Sequence, residues 1–333
     1  MPLRRRLVLA VACLCLALVA TVRAAPSQAP HPHGPTIPTL EKGVLYVKGA
    51  VPASSDSSTP LPENGRVIDG RYRNAYFGLS YPLLPDWTEA PAGPPPSNSG
   101  SYVLIQLTAS EKETKRVKAN LLVSAQDLFF SAPLSSPLDI LRSVQRHLSH
   151  NFKVESEAEE VEIGGRRFAR LAYSAPIAGL HWLLFSTEVR CHSLLFTISG
   201  QDQASLEAAE RSIGGSIFTA ADASPCIAGY VSSANVVSRV EPRLQDSHFN
   251  PIPARILVDR KGRVKHIHLL SAFPEQSAVI LAALRQWHFK PYLRDGKPSE
   301  IETGVMFGRA PTVLRRPEHP SQPAPLHGAT GPS

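Results

Sequence analysis

Residues 271–307 read SAFPEQSAVILAALRQWHFKPYLRDGKPSEIETGVMF, and this stretch decides the fold of the last third of the chain. Pro274 suits the first turn of a helix. The apolar residues that follow recur at spacings of three and four, so one stripe of the helix can cover a sheet. The stripe contains Val279, Ala283, Leu284 and Trp287. Pro291 limits the helix at its end, and Trp287 is expected to be a packing anchor.

Strands are predicted on both sides of that helix. Residues 255–258 and 264–269 are β-branched and apolar runs, and the connection DRKG at residues 259–262 is typical of a hairpin. After the helix, Asp295-Gly296 predicts a tight turn. The last strand alternates, with its inward positions at Ile301, Thr303, Val305 and Phe307. The predicted order is therefore strand, strand, helix, strand.

This arrangement resembles the C-terminal domain of the TonB family over about residues 226–309. The matching features are LLS at residues 269–271, RQWHF at residues 285–289, Pro291, the Asp295-Gly296 turn and a final strand ending in Phe307. In that family the final strand pairs with an extended segment of an outer-membrane transporter through backbone groups. The resemblance implies a non-enzymatic protein that binds an envelope protein or an extended peptide segment by strand addition.

The implied binding site is the exposed edge formed by residues 300–307. Its partner-binding residues are expected to be Glu300, Glu302, Gly304 and Met306. The chain departs from an energy transducer, because its Pro-rich linker is short and a globular domain precedes the module. A link to TonB-type transport therefore stays open.

Residues 66–220 are predicted to form an α+β domain, and residues 226–310 the TonB-like module. The first domain opens with YRNAYFGLSYP at residues 72–82 and PDW at residues 85–87, which resembles the start of PsbP-like domains. That resemblance implies an antiparallel sheet with flanking helices. The pattern predicts strands at residues 102–109 and 119–125, hairpins turning at residues 164–165 and 190–193, and helices at residues 136–151 and 202–213.

The N-terminus has the three parts of an export signal, with RRR at residues 4–6, an apolar run at residues 7–22 and Ala24 at the cleavage position. A signal peptide at residues 1–24 predicts a periplasmic protein of a Gram-negative-type envelope. The alternative is a retained inner-membrane anchor, and membrane association is expected only in that case. Residues 25–65 are predicted to be a Pro/Ser-rich linker and residues 311–333 a disordered tail.

Charge and cysteine content narrow the classes of partner. Removal of the signal takes away four arginines and lowers the formal net charge from +7 to +3. The remaining chain has no Lys/Arg-rich run with interleaved aromatic residues, so nucleic acid is not an expected partner. Cys191 and Cys226 lie beyond the signal, and an oxidising compartment permits a disulfide between them. The sequence does not show whether the two residues meet.

The sequence contains no recognisable catalytic motif, so neither an enzyme nor a cofactor is predicted. His266 and His268 are two apart in a predicted strand and are expected to point outward together, which makes them a weak candidate for a metal site; a polar outer face is the ordinary interpretation. A second functional hypothesis is a small-ligand carrier or sensor that uses the PsbP-like domain. Trp87, Tyr173 and Trp182 would then line its pocket.

Overall fold

The computed structural model describes residues 44–46, 54–56, 61–63, 65–90, 99–219, 224–244 and 251–308. The predicted signal peptide, the predicted tail and most of the predicted linker lie outside the described residues. All described residues belong to one compact unit that begins at Glu41. Within the described ranges, no helix combines the length and the apolar character needed to cross a membrane.

Described residues up to 219 form thirteen strands, a 3₁₀ helix and two α-helices. The strands are β1 (Val44–Tyr46), β2 (Ser54–Asp56), β3 (Arg66–Ile68), β4 (Arg71–Asn74), β5 (Leu79–Pro82), β6 (Trp87–Glu89), β7 (Ser101–Ser110), β8 (Val117–Asp127), β9 (Lys153–Ile163), β10 (Arg166–Ala175), β11 (Leu180–Val189), β12 (His192–Gly200) and β13 (Ile217–Phe218). The helices are the 3₁₀ helix (Leu128–Phe130), α1 (Pro137–His147) and α2 (Gln203–Gly214).

Residues 65–90 and 99–219 form the first module, which is built on a seven-stranded antiparallel sheet in the order β6-β7-β8-β12-β11-β10-β9. A four-stranded sheet, β13-β5-β4-β3, and α2 pack on one face and enclose a core that includes Tyr81, Leu107 and Phe196. Helix α1 packs on the other face through Leu141. Ser136 caps α1 as predicted, because its side chain accepts a hydrogen bond from the backbone N–H of Asp139.

The remaining described residues form seven strands and one helix. They are β14 (Val236–Ser238), β15 (Ile252–Val258), β16 (Val264–Leu269), α3 (Pro274–Leu284), β17 (His288–Phe289), β18 (Tyr292–Arg294), β19 (Lys297–Ser299) and β20 (Ile301–Phe307). Strands β1 and β2 add to the same sheet, whose order is β1-β2-β16-β15-β20. This sheet together with residues 224–244 and 251–308, which include α3, is called the second module. The predicted strand, strand, helix, strand order is present as β15, β16, α3 and β20.

Helix α3 ends earlier than the periodicity predicts. It stops at Leu284, and His288–Phe289 form a short strand instead of a last helical turn. The backbone N–H of Phe289 donates to the carbonyl of Gly262, in the connection between β15 and β16, at 2.7 Å. This hydrogen bond replaces the one that Phe289 would make within a helix. Trp287 is 1% exposed and packs with Phe289 and Phe307, as expected of a packing anchor.

Two strands fall within the predicted linker. Ser54 and Ser55 of β2 pair with Leu269 and His268 of β16, so part of the linker lies on the sheet of the second module. Strand pairing uses backbone groups and does not require apolar side chains. The polar sequence of these residues therefore has no apolar alternation that would predict a strand. The antiparallel sheets with few helices agree with the predicted α+β class.

Candidate functional site

The face of the second sheet that α3 leaves uncovered packs against one end of the first module. Side chains alternate along a strand, so Arg255, between core residues Ala254 and Ile256, points away from α3. Glu302 points the same way from β20, because Ile301 and Thr303 lie on the α3 side. The uncovered face thus brings charged side chains into the contact between the modules.

Arg255 is the centre of this contact and is 4% exposed. Its Nε and Nη2 donate to Glu302 Oε2 at 2.9 and 2.6 Å, and its Nη1 donates to Asp127 Oδ2 at 2.9 Å. Nη2 also donates to the backbone carbonyl of Arg190 at 2.7 Å. One guanidinium therefore binds two carboxylates and a carbonyl from three separate segments, which suits its planar set of five N–H donors.

Asp127 is the last residue of β8, and its side chain points into the contact between the modules. Its Oδ1 accepts from the backbone N–H of Phe129 at 2.9 Å and so caps the 3₁₀ helix, while Oδ2 faces Arg255. The ring of Phe129 lies 4.7 Å from the guanidinium carbon of Arg255. A Cβ on Gly304 would lie 2.6 Å from the Cβ of Phe129, so glycine at this position allows the close approach.

Arg190 comes from the two-residue turn between β11 and β12. Arg190 and Cys191 have φ values of +49° and +59°, a left-handed conformation that non-glycine residues seldom adopt, and which fits a type I′ hairpin turn. The Arg190 side chain pairs with Glu302 Oε1 and donates to the carbonyl of Tyr76 at 3.1 Å. It also lies 4.1 Å from the centre of the Tyr76 ring. Contacts with the second module thus hold a turn that its own residues do not favour.

His192 follows this turn and is fully buried. Its Nδ1 lies 2.8 Å from the carbonyl of Arg190, and a carbonyl only accepts, so Nδ1 carries the proton. Its Nε2 is 3.5 Å from Asp127 Oδ2 and has no hydrogen-bond partner among the described residues. Burial, together with the charge of Arg255, lowers the pKa of His192 well below 6.5, so the imidazole is neutral at pH 7.

The two carboxylates that bind Arg255 have pKa values shifted in opposite directions. Burial acts to raise the pKa of Glu302, but Arg255 and Arg190 outweigh it and leave this pKa lowered. Burial raises the pKa of Asp127 against the opposing effect of Arg255. Burial acts to lower the pKa of Arg255, yet Asp127, Tyr76 and Glu302 raise it well above its ordinary value. We call Asp127, Arg190, His192, Arg255 and Glu302 the junction cluster.

A disulfide joins Cys191 of the turn to Cys226, with 5.9 Å between their Cα atoms. Cys226 lies beside Glu302 of β20 in a parallel bridge. The backbone N–H of Glu302 donates to the carbonyl of Pro225, and the N–H of Ile227 donates to the carbonyl of Glu302, both at 2.9 Å. Residues 225–227 therefore occupy the edge of β20 at Glu302.

A cavity of about 40 Å³ adjoins the cluster and is lined in part by Leu61, Tyr76, Leu257 and His266. Several buried polar atoms in and around it have no hydrogen-bond partner among the described residues. They are Tyr76 Oη, Tyr102 Oη, Arg190 Nε, His192 Nε2, His268 Nδ1 and Glu63 Oε2. The volume has room for about three water molecules. It is far below the several hundred Å³ of a typical organic-ligand pocket.

The predicted edge residues fall into different environments. The prediction that the Glu302 side chain faces a partner is wrong, because it is 6% exposed and paired with Arg255 and Arg190. Gly304 lies beneath Phe129. Glu300 pairs with Lys265 at 3.0 Å, and Met306 is 46% exposed.

Beyond Glu302, the outer edge of β20 lies beside no other described strand. Backbone groups of successive residues point to opposite sides of a strand, so Gly304 and Met306 share the outward direction of Glu302. No strand pairs with this side of β20 in the described parts of the chain.

The histidine pair does not point outward as expected. His268 is 7% exposed; its Nε2 lies 3.2 Å from Glu63 Oε1, and its ring stacks with Tyr102. His266 lines the cavity. The strand alternation places both residues on the face opposite α3, but the first module covers that face. The described residues contain no group of three or more metal-ligating side chains.

The aromatic residues proposed for a ligand pocket do not converge. Tyr173 and Trp182 stack with ring centres 5.3 Å apart beneath α1, whereas Trp87 packs against the core on the other face. Sequence reasoning also missed Asp127, Arg190 and Arg255. The one available signal is an arginine within the apolar run at residues 252–258. An arginine between core positions indicates that both faces of the sheet are covered. The neighbouring sequence does not predict which residues bind it.

No family model matches the chain, and no curated protein matches it. The resemblance to the TonB family therefore stays a sequence-based expectation. The solution structure of cyanobacterial PsbP (CyanoP) from Synechocystis sp. PCC 6803 is similar over 45% of this chain and 91% of that chain, with 15% identity and a TM-score of 0.32. The crystal structure of LpqN, involved in cell envelope biogenesis of Mycobacterium tuberculosis, is similar over 42% and 83%, with 14% identity and a TM-score of 0.31. Scores this low carry no argument about function.

Proposed function

We propose that this protein is a non-enzymatic, exported cell-envelope protein that binds an extended segment of a protein partner at the open edge of β20. The observation that supports the proposal is the outward backbone of Gly304 and Met306, beside which no strand lies in the described ranges. Each outward residue offers an N–H and a C=O to an added strand. The exposed side chain of Met306 is apolar and flexible, which suits contact with a partner side chain.

The buried cluster gives the second module a fixed position on the first. Arg255 and Glu302 are used within the molecule, so the partner site is shorter than the sequence implies and is confined to residues 304–307. A fixed edge costs less ordering on binding than a mobile one. The first module is then the support that holds the edge in place.

Met306→Pro tests this function, with Met306→Ala as the matched control. Both substitutions remove the methionine side chain, but proline also removes the outward N–H at an edge position that tolerates it. We expect capture of envelope partners by the full chain to be lost in Met306→Pro and retained in Met306→Ala. Gly304 is not a suitable position, because any side chain there would meet Phe129.

Capture is measured by affinity purification from envelope extract, and folding of both variants by circular dichroism. Equal capture by folded Met306→Pro and Met306→Ala would overturn the proposal. The next site to test would then be a cavity of about 380 Å³ in the first module, lined in part by Ser124, Gln126, Ile140 and Leu195.

A further inference from the structure

The segment at residues 225–227 occupies the same kind of site that a partner strand would use. It runs parallel to β20 and makes two backbone hydrogen bonds with Glu302. Glu302, Gly304 and Met306 share the outward direction, so this segment covers the first of three consecutive outward residues. Its removal would lengthen the open edge from two outward residues to three.

The disulfide fixes this covering segment. Cys226 lies between the two residues that bond to Glu302, and its partner Cys191 belongs to the turn held by the junction cluster. Cys191 is 4% exposed, whereas Cys226 is exposed. The bond therefore ties an accessible cysteine in residues 225–227 to a buried cysteine in the first module.

We propose that the Cys191–Cys226 disulfide controls the length of the partner-binding edge, and that its reduction releases residues 225–227 and exposes Glu302 to an added strand. This inference rests on the proposed function of β20. The partner it favours is an extended segment of a protein, which replaces the backbone bonds that Pro225 and Ile227 make in the oxidised state.

The reductant is a dithiol of the thioredoxin class. Its thiolate attacks Sγ of the exposed Cys226, the bond between the two protein sulfurs breaks, and Cys191 leaves as a thiolate that takes up a proton. The second thiol of the reductant then attacks the mixed disulfide and releases Cys226. Two electrons and two protons pass to the protein, and the dithiol becomes a disulfide.

Binding and reduction are linked in both directions. A strand that binds only when the cover has left stabilises the reduced form by the same free energy that reduction contributes to binding. Residues 225–227 make few other contacts, since Ile227 is only partly buried against the core of the second module. The disulfide is thus the strongest restraint on residues 225–227 that the structure shows.

Amide hydrogen exchange of the full chain, followed residue by residue by NMR, tests the inference without any partner. After reduction with dithiothreitol, we expect the amide of Glu302 to exchange at least about tenfold faster, as for a locally opened segment. The amide of Thr303, which pairs with Ile256 inside the sheet, should keep its rate. The double variant Cys191→Ser, Cys226→Ser should reproduce the reduced behaviour without reductant. Unchanged exchange at Glu302 in both reduced wild type and the double variant would overturn the inference.

A peptide that copies residues 224–230, with serine in place of Cys226, serves as the binding probe. We expect it to bind the reduced protein and the double variant and not the oxidised protein, measured by fluorescence anisotropy. Equal binding to oxidised and reduced protein would also overturn the inference. If the disulfide does not control access to Glu302, the comparison of Met306→Pro with Met306→Ala is unaffected. The two proposals can therefore fail separately.

Discussion

Arg255 illustrates how a buried charge is tolerated. Its guanidinium is almost completely removed from water, and it is held by Asp127, Glu302 and the carbonyl of Arg190. Burial of a charge is costly unless its hydrogen-bonding groups are satisfied and its charge is balanced. Arg190 supplies a second cation for Glu302, so two cations face two carboxylates. Replacing a buried ion set of this kind by apolar residues of similar volume is often neutral for stability, whereas removing one partner alone is strongly destabilising.

His192 gives this cluster a pH dependence of known sign. Its pKa is lowered below 6.5 in the folded protein, so the unfolded chain binds a proton at a higher pH. The stability contributed by neutral His192 is therefore present above pH 6.5 and is lost as the pH falls below that value. Asp127, with its raised pKa, acts in the opposite sense.

We predict that His192→Gln flattens the loss of stability between pH 6.5 and pH 5 relative to wild type. One proton changes the free energy of unfolding by at most about 1.4 kcal/mol per pH unit. Urea unfolding at pH 7.5, 6.0 and 5.0 gives the free energy of unfolding of each protein. Asp127 is present in both proteins, so the difference between their pH profiles reports on His192. Parallel pH profiles would show that His192 does not carry this dependence.

The turn between β11 and β12 combines several roles in two residues. Arg190 and Cys191 both have positive φ, a conformation that Asn-Gly adopts with less strain. Arg190 binds Glu302 and the Tyr76 carbonyl, and Cys191 forms the disulfide. These side chains explain why glycine does not occupy the turn.

The second module has a single large anchor just beyond the end of α3. Trp287 is 1% exposed, its Nε1 donates to the carbonyl of Val240 at 2.8 Å, and Arg239 lies 4.8 Å from the centre of its ring. Trp287→Ala removes this side chain from the core of the second module. We predict a destabilisation of about 3–5 kcal/mol in urea unfolding monitored by circular dichroism.

Leu293→Ala is the control for that measurement. Leu293 is 58% exposed, so its truncation should change the free energy of unfolding by no more than about 0.5 kcal/mol. If the two variants unfold at the same urea concentration, Trp287 is not the anchor of the module.

The two modules form one molecule through the junction cluster, the disulfide and apolar contacts such as Leu270, which belongs to the core of the first module. Arg255 binds Asp127 of the first module and Glu302 of the second. Loss of this one side chain therefore leaves a buried carboxylate without its partner on each side of the contact. The stability of each module is expected to depend on the presence of the other.

We predict that Arg255→Met destabilises the protein by about 3–5 kcal/mol, the usual effect of removing one partner from a buried ion pair. Hydrogen exchange should then increase in both β8 and β20. Arg263→Met is the control, since Arg263 is mostly exposed and pairs with Asp259 at 3.1 Å, which contributes about 0–1 kcal/mol. Faster exchange confined to β20 would contradict a shared dependence of the two modules.

The elements of the fold follow from local sequence. The cap at Ser136 and the alternation of Ile301, Thr303 and Val305 are correctly predicted, because such patterns involve residues that are close in sequence. The helical stripe is only partly correct: Leu284 lies in the core, but Val279 does not, and Trp287 is buried beyond the end of the helix. The end of α3 is not correctly predicted, because Phe289 bonds to Gly262 from a distant turn.

The candidate site depends instead on which surfaces meet. Alternation correctly assigns His268 and Glu302 to the face opposite α3, but it does not reveal that the first module covers this face. Asp127 and Arg255 are 128 residues apart, and Cys191 and Cys226 are 35 apart, so no local pattern connects them. Burial, pairing and access to an edge are properties of the surfaces that come into contact, and long-range packing sets them. Local periodicity therefore determines the strands and helices, whereas their packing converts an expected open edge into one that is covered at Glu302.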